Sequence, residues 1–564
     1  MCHKTTRRIL SLLLVLAMIL TGPFSVTAAA SPTSGAEDLT FHEVDAGSVS
    51  TQLDSTAGQE VESLQTDQTL YEDTDQVRVT IFLEQAATLE RFDSQNVASN
   101  VQAINYRQVL AQKQEEVQSR IEAATGQELQ VAWNMTLATN AISANVEYGQ
   151  IQQILDVSGV KDLVIETRYE PAVVEQDLET DPNMATSSEM IGSGLAWASG
   201  YTGAGSRVAI IDTGIDTDHQ SFSAAGLEYS LSLQASEANM STEDYLAELD
   251  LLDAEEIAEK VELLNIAPIL KEKGFSAEDL YFNTKIGFGF NYVDKSLDIT
   301  HDNDAMGEHG SHVEGISAAN AYIPQEDGTF LNAYEKIKMQ GVAPDAQIIT
   351  MKVFGKAGGA YVSDYMAAIE DAIVLGCDSV NLSLGSSTAG LARSEVYQKL
   401  LDDLEKTDTV MVVAAGNNGH WAEGSRPKNL YAEDVNLSTA GSPGTYTNTL
   451  AVASVDNDGS IGGYFRLGET QIFYNEQLFS QDSMRTLDTS GTGTEYEYLL
   501  IDGIGLKEDY AGMDLTDKIV FCSRGETSFV DKANVATRLK AKAVVIYNNE
   551  PGVINMNLNG YYRS

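Results

Sequence analysis

Apolar and polar residues change rhythm several times along the chain, and each change marks a boundary. Residues 9–20 form one short apolar core behind Lys4, Arg7 and Arg8, followed by Gly22, Pro23 and the small run Ala28-Ala29-Ala30. A bilayer span needs about 20 apolar residues, so this layout predicts a secretory signal over 1–30 rather than an anchor. Residues 31–70 are rich in Ser, Thr, Gln, Asp and Glu without a sustained apolar period and read as a linker. From Val77 the apolar positions Val77, Val79, Ile81 and Leu83 alternate with Arg78, Thr80 and Phe82, which predicts a strand. A polar helix pattern over 101–124 closed by Gly126, an alternating stretch at 141–146, a short helix at 151–155 and a strand at 160–165 follow. Together they predict a small α+β unit over 71–170. The acidic tract 175–181 then makes 171–189 an accessible linker.

The texture from residue 190 is different. Short apolar runs at 208–211, 348–353, 379–383 and 410–414 alternate with helical patterns at 363–375 and 394–404. Buried strands alternating with helices predict a doubly wound parallel sheet, an α/β fold spanning 190–463. Function in such sheets collects at the carboxyl ends of strands, where Asp212, Ser383 and Asn417 fall. A charged helical stretch at about 235–274 interrupts the pattern and reads as a helical hairpin on the surface, without chemistry. After Gly463 come aromatic-containing strands and turns, with strands at 518–522 and 543–547 and a helix at 533–541. This predicts a compact β-rich unit over 464–564.

Composition narrows the function classes. The 564 residues carry 83 acidic and 35 basic side chains, a net charge of −48. Phosphate backbones would be repelled, so nucleic acid is excluded as a partner. The acidity suits a soluble surface and attracts calcium, for which no ligands are assignable. Of three cysteines, Cys2 leaves with the signal, and Cys377 and Cys522 are expected to be buried and free.

Chemistry concentrates in Glu308-His309-Gly310-Ser311-His312-Val313-Glu314-Gly315, which holds two of only seven histidines. A zinc site on His309 and His312 lacks a third ligand and the helical His-Glu-x-x-His pattern, so no metal is expected in the chemistry. Each candidate alone is weak: a strand-end aspartate is often a turn or cap, a histidine pair is more often structural, and Asn417 alone is a turn residue. Taken together, Asp212, His309 and Asn417 supply an orienting acid, a base and an oxyanion donor. The order Asp then His is one of the known triad orders.

Five ordered blocks carry a resemblance. Residues 208–216 (Val-Ala-Ile-Ile-Asp-Thr-Gly-Ile-Asp), 309–315, Gly341-Val342-Ala343-Pro344-Asp345-Ala346, Ser383-Leu384-Gly385 and Ala414-Ala415-Gly416-Asn417 resemble the successive blocks of subtilisin-like serine peptidases. The resemblance implies that Asp212 orients the base, His309 is the base, His312 is structural and Asn417 donates to the oxyanion. It implies that Ser383, Leu384 and Gly385 form an edge for an extended peptide substrate, with Gly416 lining the pocket before the scissile bond. It further implies an inhibitory propeptide at 71–170 and a protease-associated domain at 464–564, an arrangement similar to lactocepin-like cell-envelope proteinases. The partners are then protein or peptide substrates and the chain's own propeptide. The location is extracellular or cell-wall associated, with no cofactor beyond structural calcium.

Three departures qualify this. Ser311 stands where Thr is usual. Glu314 stands where a small Ala is common and is expected either to face solvent or to perturb local electrostatics. The nucleophile block, of Gly-Thr-Ser-x-Ala type, is absent; Ser442 before Pro443 and Ser490 in a Thr-Ser-Gly-Thr loop are not assigned that role. The expectation is an N-terminal fragment of a secreted endopeptidase zymogen, inactive alone. The alternative is a peptide-binding protein that has lost its serine.

Overall fold

A computed structural model describes residues 71–92, 97–171, 184–302, 304, 307–385, 401–402, 404, 407–416, 440–446, 448–455, 464–474, 487 and 493–549. The signal, the 31–70 linker, the acidic tract, Asn417 and most of the helix expected at 394–404 lie outside the described residues.

The α+β unit forms as its pattern requires. Strands β1 (Gln76–Leu83), β2 (Gln130–Met135), β3 (Ala141–Glu147) and β4 (Val160–Ile165) make one antiparallel sheet in the order β2-β3-β1-β4. Helix α1 (Val101–Thr125) starts at Asn100, whose side chain accepts the N–H groups of Gln102 and Ala103, and stops at Gly126, φ 74°. Its buried positions Ala103, Arg107, Leu110, Gln114, Val117 and Ile121 fall at helical spacing. The short helix α2 (Ile151–Leu155) follows. Strand β2 had no clean period, and its Trp133 turns out to be 2% exposed. A further strand, β5 (Arg168–Pro171), leaves the sheet altogether. Helix α3 (Met184–Met190) begins inside the stretch read as linker.

The second sheet is six-stranded and parallel, from β6 (Arg207–Asp212), β7 (Ile286–Asn291), β10 (Gln347–Lys352), β12 (Ser379–Leu382), β14 (Val410–Ala414) and β15 (Leu450–Val452). Its order is β15-β14-β12-β6-β10-β7, so β6 lies inside the sheet and ends at Asp212. A small hairpin, β8 (Tyr322–Pro324) and β9 (Phe330–Asn332), lies outside it.

The interrupting helices differ from expectation. They are four, α4 (Ala224–Glu237), α5 (Thr242–Glu248), α6 (Ala254–Lys260) and α7 (Ala267–Lys273), not a hairpin. Nor are they only a surface feature. Leu252, Ile257, Leu264, Ile266 and Leu270 are 0–3% exposed and join the core cluster that contains Phe288, Phe290 and Met351. Their charge pattern marked the wet faces and hid how much apolar side they bury.

The C-terminal unit has a hairpin, β16 (Tyr464–Leu467) with β17 (Thr470–Phe473), and three parallel strands. These are β18 (Tyr498–Leu500), β19 (Ile519–Ser523) and β20 (Ala543–Tyr547), with a crossover helix Phe529–Arg538 that starts four residues before the expected position. Cys377 and Cys522 are buried and free, as expected. Among the described residues no helix is long and apolar enough to cross a membrane.

Candidate active site

Strand β6 delivers Asp212 to the carboxyl edge of the parallel sheet, where it is 1% exposed. Its Oδ1 accepts the Thr213 N–H at 2.7 Å and lies 2.7 Å from His309 Nδ1. A carboxylate can only accept, so Nδ1 carries the proton and Nε2 is left free to take one. His309 opens helix α8 (His309–Ala318), as the small residues around it suggested. Close backbone approach makes this possible. A Cβ on Gly310 would lie 2.2 Å from the Gly214 oxygen, and one on Gly214, φ 107°, would lie 2.2 Å from the Ile299 oxygen. The Gly310 N–H also donates to Thr213 Oγ1 at 2.8 Å, tying the helix start to the strand end.

The electrostatics favour a base. Burial alone would push the His309 imidazole down, but the hydrogen bond and charge of Asp212 outweigh it and leave the pKa above 6.5. Ser311 does not face this pair; its hydroxyl accepts the Asp216 N–H at 2.7 Å and meets His301 Nε2 at 2.7 Å. His312 is exposed and makes no part of the pair.

Two supports were not read from the sequence. Lys352, 1% exposed, donates to Asp304 Oδ2 at 2.6 Å and to the Thr213 carbonyl, bracing the loop after Asp212. Its place in an apolar strand gave no signal of that role. Glu314 does not face solvent: it is 1% exposed, and its Oε1 accepts Thr350 Oγ1 at 3.0 Å. Burial first, and then the nearby Asp212 charge, hold its carboxyl well above the usual range despite the Thr350 bond. Its surroundings therefore favour the neutral form of this acid beneath the pair.

The expected substrate edge is occupied. Strand β13 (Leu384–Gly385) pairs antiparallel with β5, Leu384 opposite Pro171 and Gly385 opposite Glu170. On its other side β5 pairs antiparallel with β11 (Ala360–Tyr361), Ala360 opposite Tyr169. Tyr169 is 6% exposed, its hydroxyl 3.4 Å from Ser442 Oγ and its ring 5.8 Å from that of Tyr365. Ser383 Oγ accepts Asn381 Nδ2 at 2.9 Å. Gly416 has φ 97° at the end of β14, while Asn417 lies outside the described residues. Among the described residues no group of three or more His, Cys, Asp or Glu is arranged to hold a metal.

A family model described as the subtilase family, peptidase S8, matches residues 203–544. The PI-type proteinase of Lactococcus lactis subsp. cremoris is 28% identical over 430 residues, covering 73% of this chain and 19% of that protein. The minor extracellular protease Vpr of Bacillus subtilis is 27% identical over 442 residues, covering 75% of this chain and 42% of Vpr. The chain thus spans about a fifth of the length of the first relative. The solved epidermin leader peptide processing serine protease of Staphylococcus aureus aligns at TM-score 0.37 and 16% identity, covering 69% of this chain and 71% of that one. With the family match extending over 203–544, more than half of its length, this chain belongs to the subtilase family.

Proposed function

We propose that the chain is part of a secreted subtilisin-like serine endopeptidase zymogen, with His309 as base and Asp212 as its orienting acid. Residues 71–170 act as an inhibitory propeptide, and 464–564 belong to a protease-associated domain inserted in the catalytic fold. Edges β11 and β13 would take a substrate by strand addition. One observation carries the reading: β5 occupies that edge from both sides, as a peptide substrate would. The Asp212–His309 bond supports the same reading from the chemical side. Ser383, Leu384, Gly385 and Gly416 then contact substrate, and Asn417 donates to the oxyanion. Removing that donor lowers turnover by about 10² to 10³. Extracellular or cell-wall location follows from the signal and is in keeping with a relative named an extracellular protease.

The test is a fluorophosphonate label applied to the complete gene product before and after removal of 71–170. The reading expects labelling only after removal. Absence of labelling after removal would instead favour a peptide-binding protein without a nucleophile.

A further inference from the structure

Helix α9 (Val362–Val374) is buried along its whole length, yet it carries Asp364, Glu370 and Asp371. Their donors come from several parts of the chain. From the N-terminal module, Trp133 Nε1 donates to Asp364 Oδ1 at 2.8 Å. The Leu137, Ala138 and Thr139 N–H groups reach Glu370 at 3.3, 2.7 and 3.0 Å. From the inserted helices comes Asn265, 8% exposed, just ahead of α7. Its N–H donates to Asp371 Oδ1 at 2.6 Å, and its side-chain amide donates to Glu370 Oε2 and the Ala367 carbonyl, both at 3.2 Å. The segment after β7 adds two more groups. Tyr292 donates its hydroxyl to Asp371 Oδ2 at 3.0 Å, and Lys295 Nζ lies 2.8 Å above the centre of the Trp133 ring.

Glu370 is therefore shared. Oε1 takes two backbone N–H groups of the module, while Oε2 takes a third and the amide of Asn265. A buried carboxylate needs every oxygen met, and a missing donor frees it to swing away from the others. We propose that the stretch 264–295 is a second contact surface for the N-terminal module. In it, Asn265 holds Glu370 in the pose that the 137–139 backbone requires. The helices that interrupt the fold thereby gain a role: they complete a dock that α9 alone leaves half-built. How long β5 stays on the cleft edge then depends on this grip, a consequence that rests on the inhibitory reading, whereas the docking itself does not.

Hydrogen exchange on the intact chain, resolved by peptide, tests this without any need for peptidase activity. Asn265→Ala should speed exchange of the 137–139 amides by about tenfold or more, while the β10 amides stay unchanged. Unchanged exchange at 137–139 would overturn the proposal. If Asn265→Ala also frees the amides of 254–270, Lys295→Met decides. Faster exchange around Trp133 then supports the second surface, and no change there overturns it. An inhibition assay that fails while the exchange result holds would sink only the inhibitory reading.

Discussion

Asp212 and Glu370 are both carboxylates buried against donors, and they differ in what the donor can do. At the edge of β6, Asp212 meets an imidazole that can gain or lose a proton. On α9, Glu370 meets three backbone N–H groups that cannot. The first arrangement changes state with pH and with a reacting partner, while the second only holds. Fixed donors suit a dock, and a titratable donor poised by one carboxylate suits chemistry.

The largest effect that would break this comparison is on turnover. In the complete gene product, Asp212→Asn should lower kcat by roughly 10⁴, because the base loses its tautomer and orientation; a loss below about tenfold would place Asp212 in the holding class. Activity should rise with pH along a limb above 6.5, since His309 acts as base only when deprotonated and its pKa is raised. Next, Glu370→Ala leaves three buried N–H groups unpaired, and thermal unfolding should show a loss of about 3 kcal/mol, with turnover chemistry after module removal unaffected.

Glu314 sharpens the contrast, because it is a third kind of buried carboxyl, one whose burial favours the neutral form. Its folded pKa lies above the unfolded value, so its contribution is complete below the ordinary carboxyl range and is lost as pH rises toward the folded value. Glu314→Gln cannot ionise and escapes that loss. The variant should match the parent in melting experiments below the ordinary carboxyl range and exceed it increasingly as pH rises above that range; a parallel pair of curves would contradict a raised Glu314 pKa. Smallest is Trp133→Phe, which removes one indole donor from Asp364 and should cost about 1 kcal/mol by the same melting experiment.

Much of this was legible beforehand, for physical reasons that can be named. The strand runs at 208–211 and 348–353 are buried on both faces, so their apolar continuity showed directly. Asp212 and His309 were readable because small residues flank them wherever backbones approach closely, as Gly214 and Gly310 do. Long-range pairing was not readable. Nothing in Arg168-Tyr169-Glu170-Pro171 announces a strand whose partners lie about 190 and 215 residues away, because pairing partners leave no local period. Asn265 was hidden in the same way, since its partners are brought to it by the fold. Glu314 was flagged as a departure, but only the fold shows that it is buried and its pKa raised.

The central claim is that Asp212 makes His309 a base, and the imidazole's own titration tests it most directly. Ring resonances of His309, followed by NMR in the chain as it stands, should give a pKa above 6.5, falling below 6.5 in Asp212→Asn where burial acts alone. A value that does not move between the two would contradict the account.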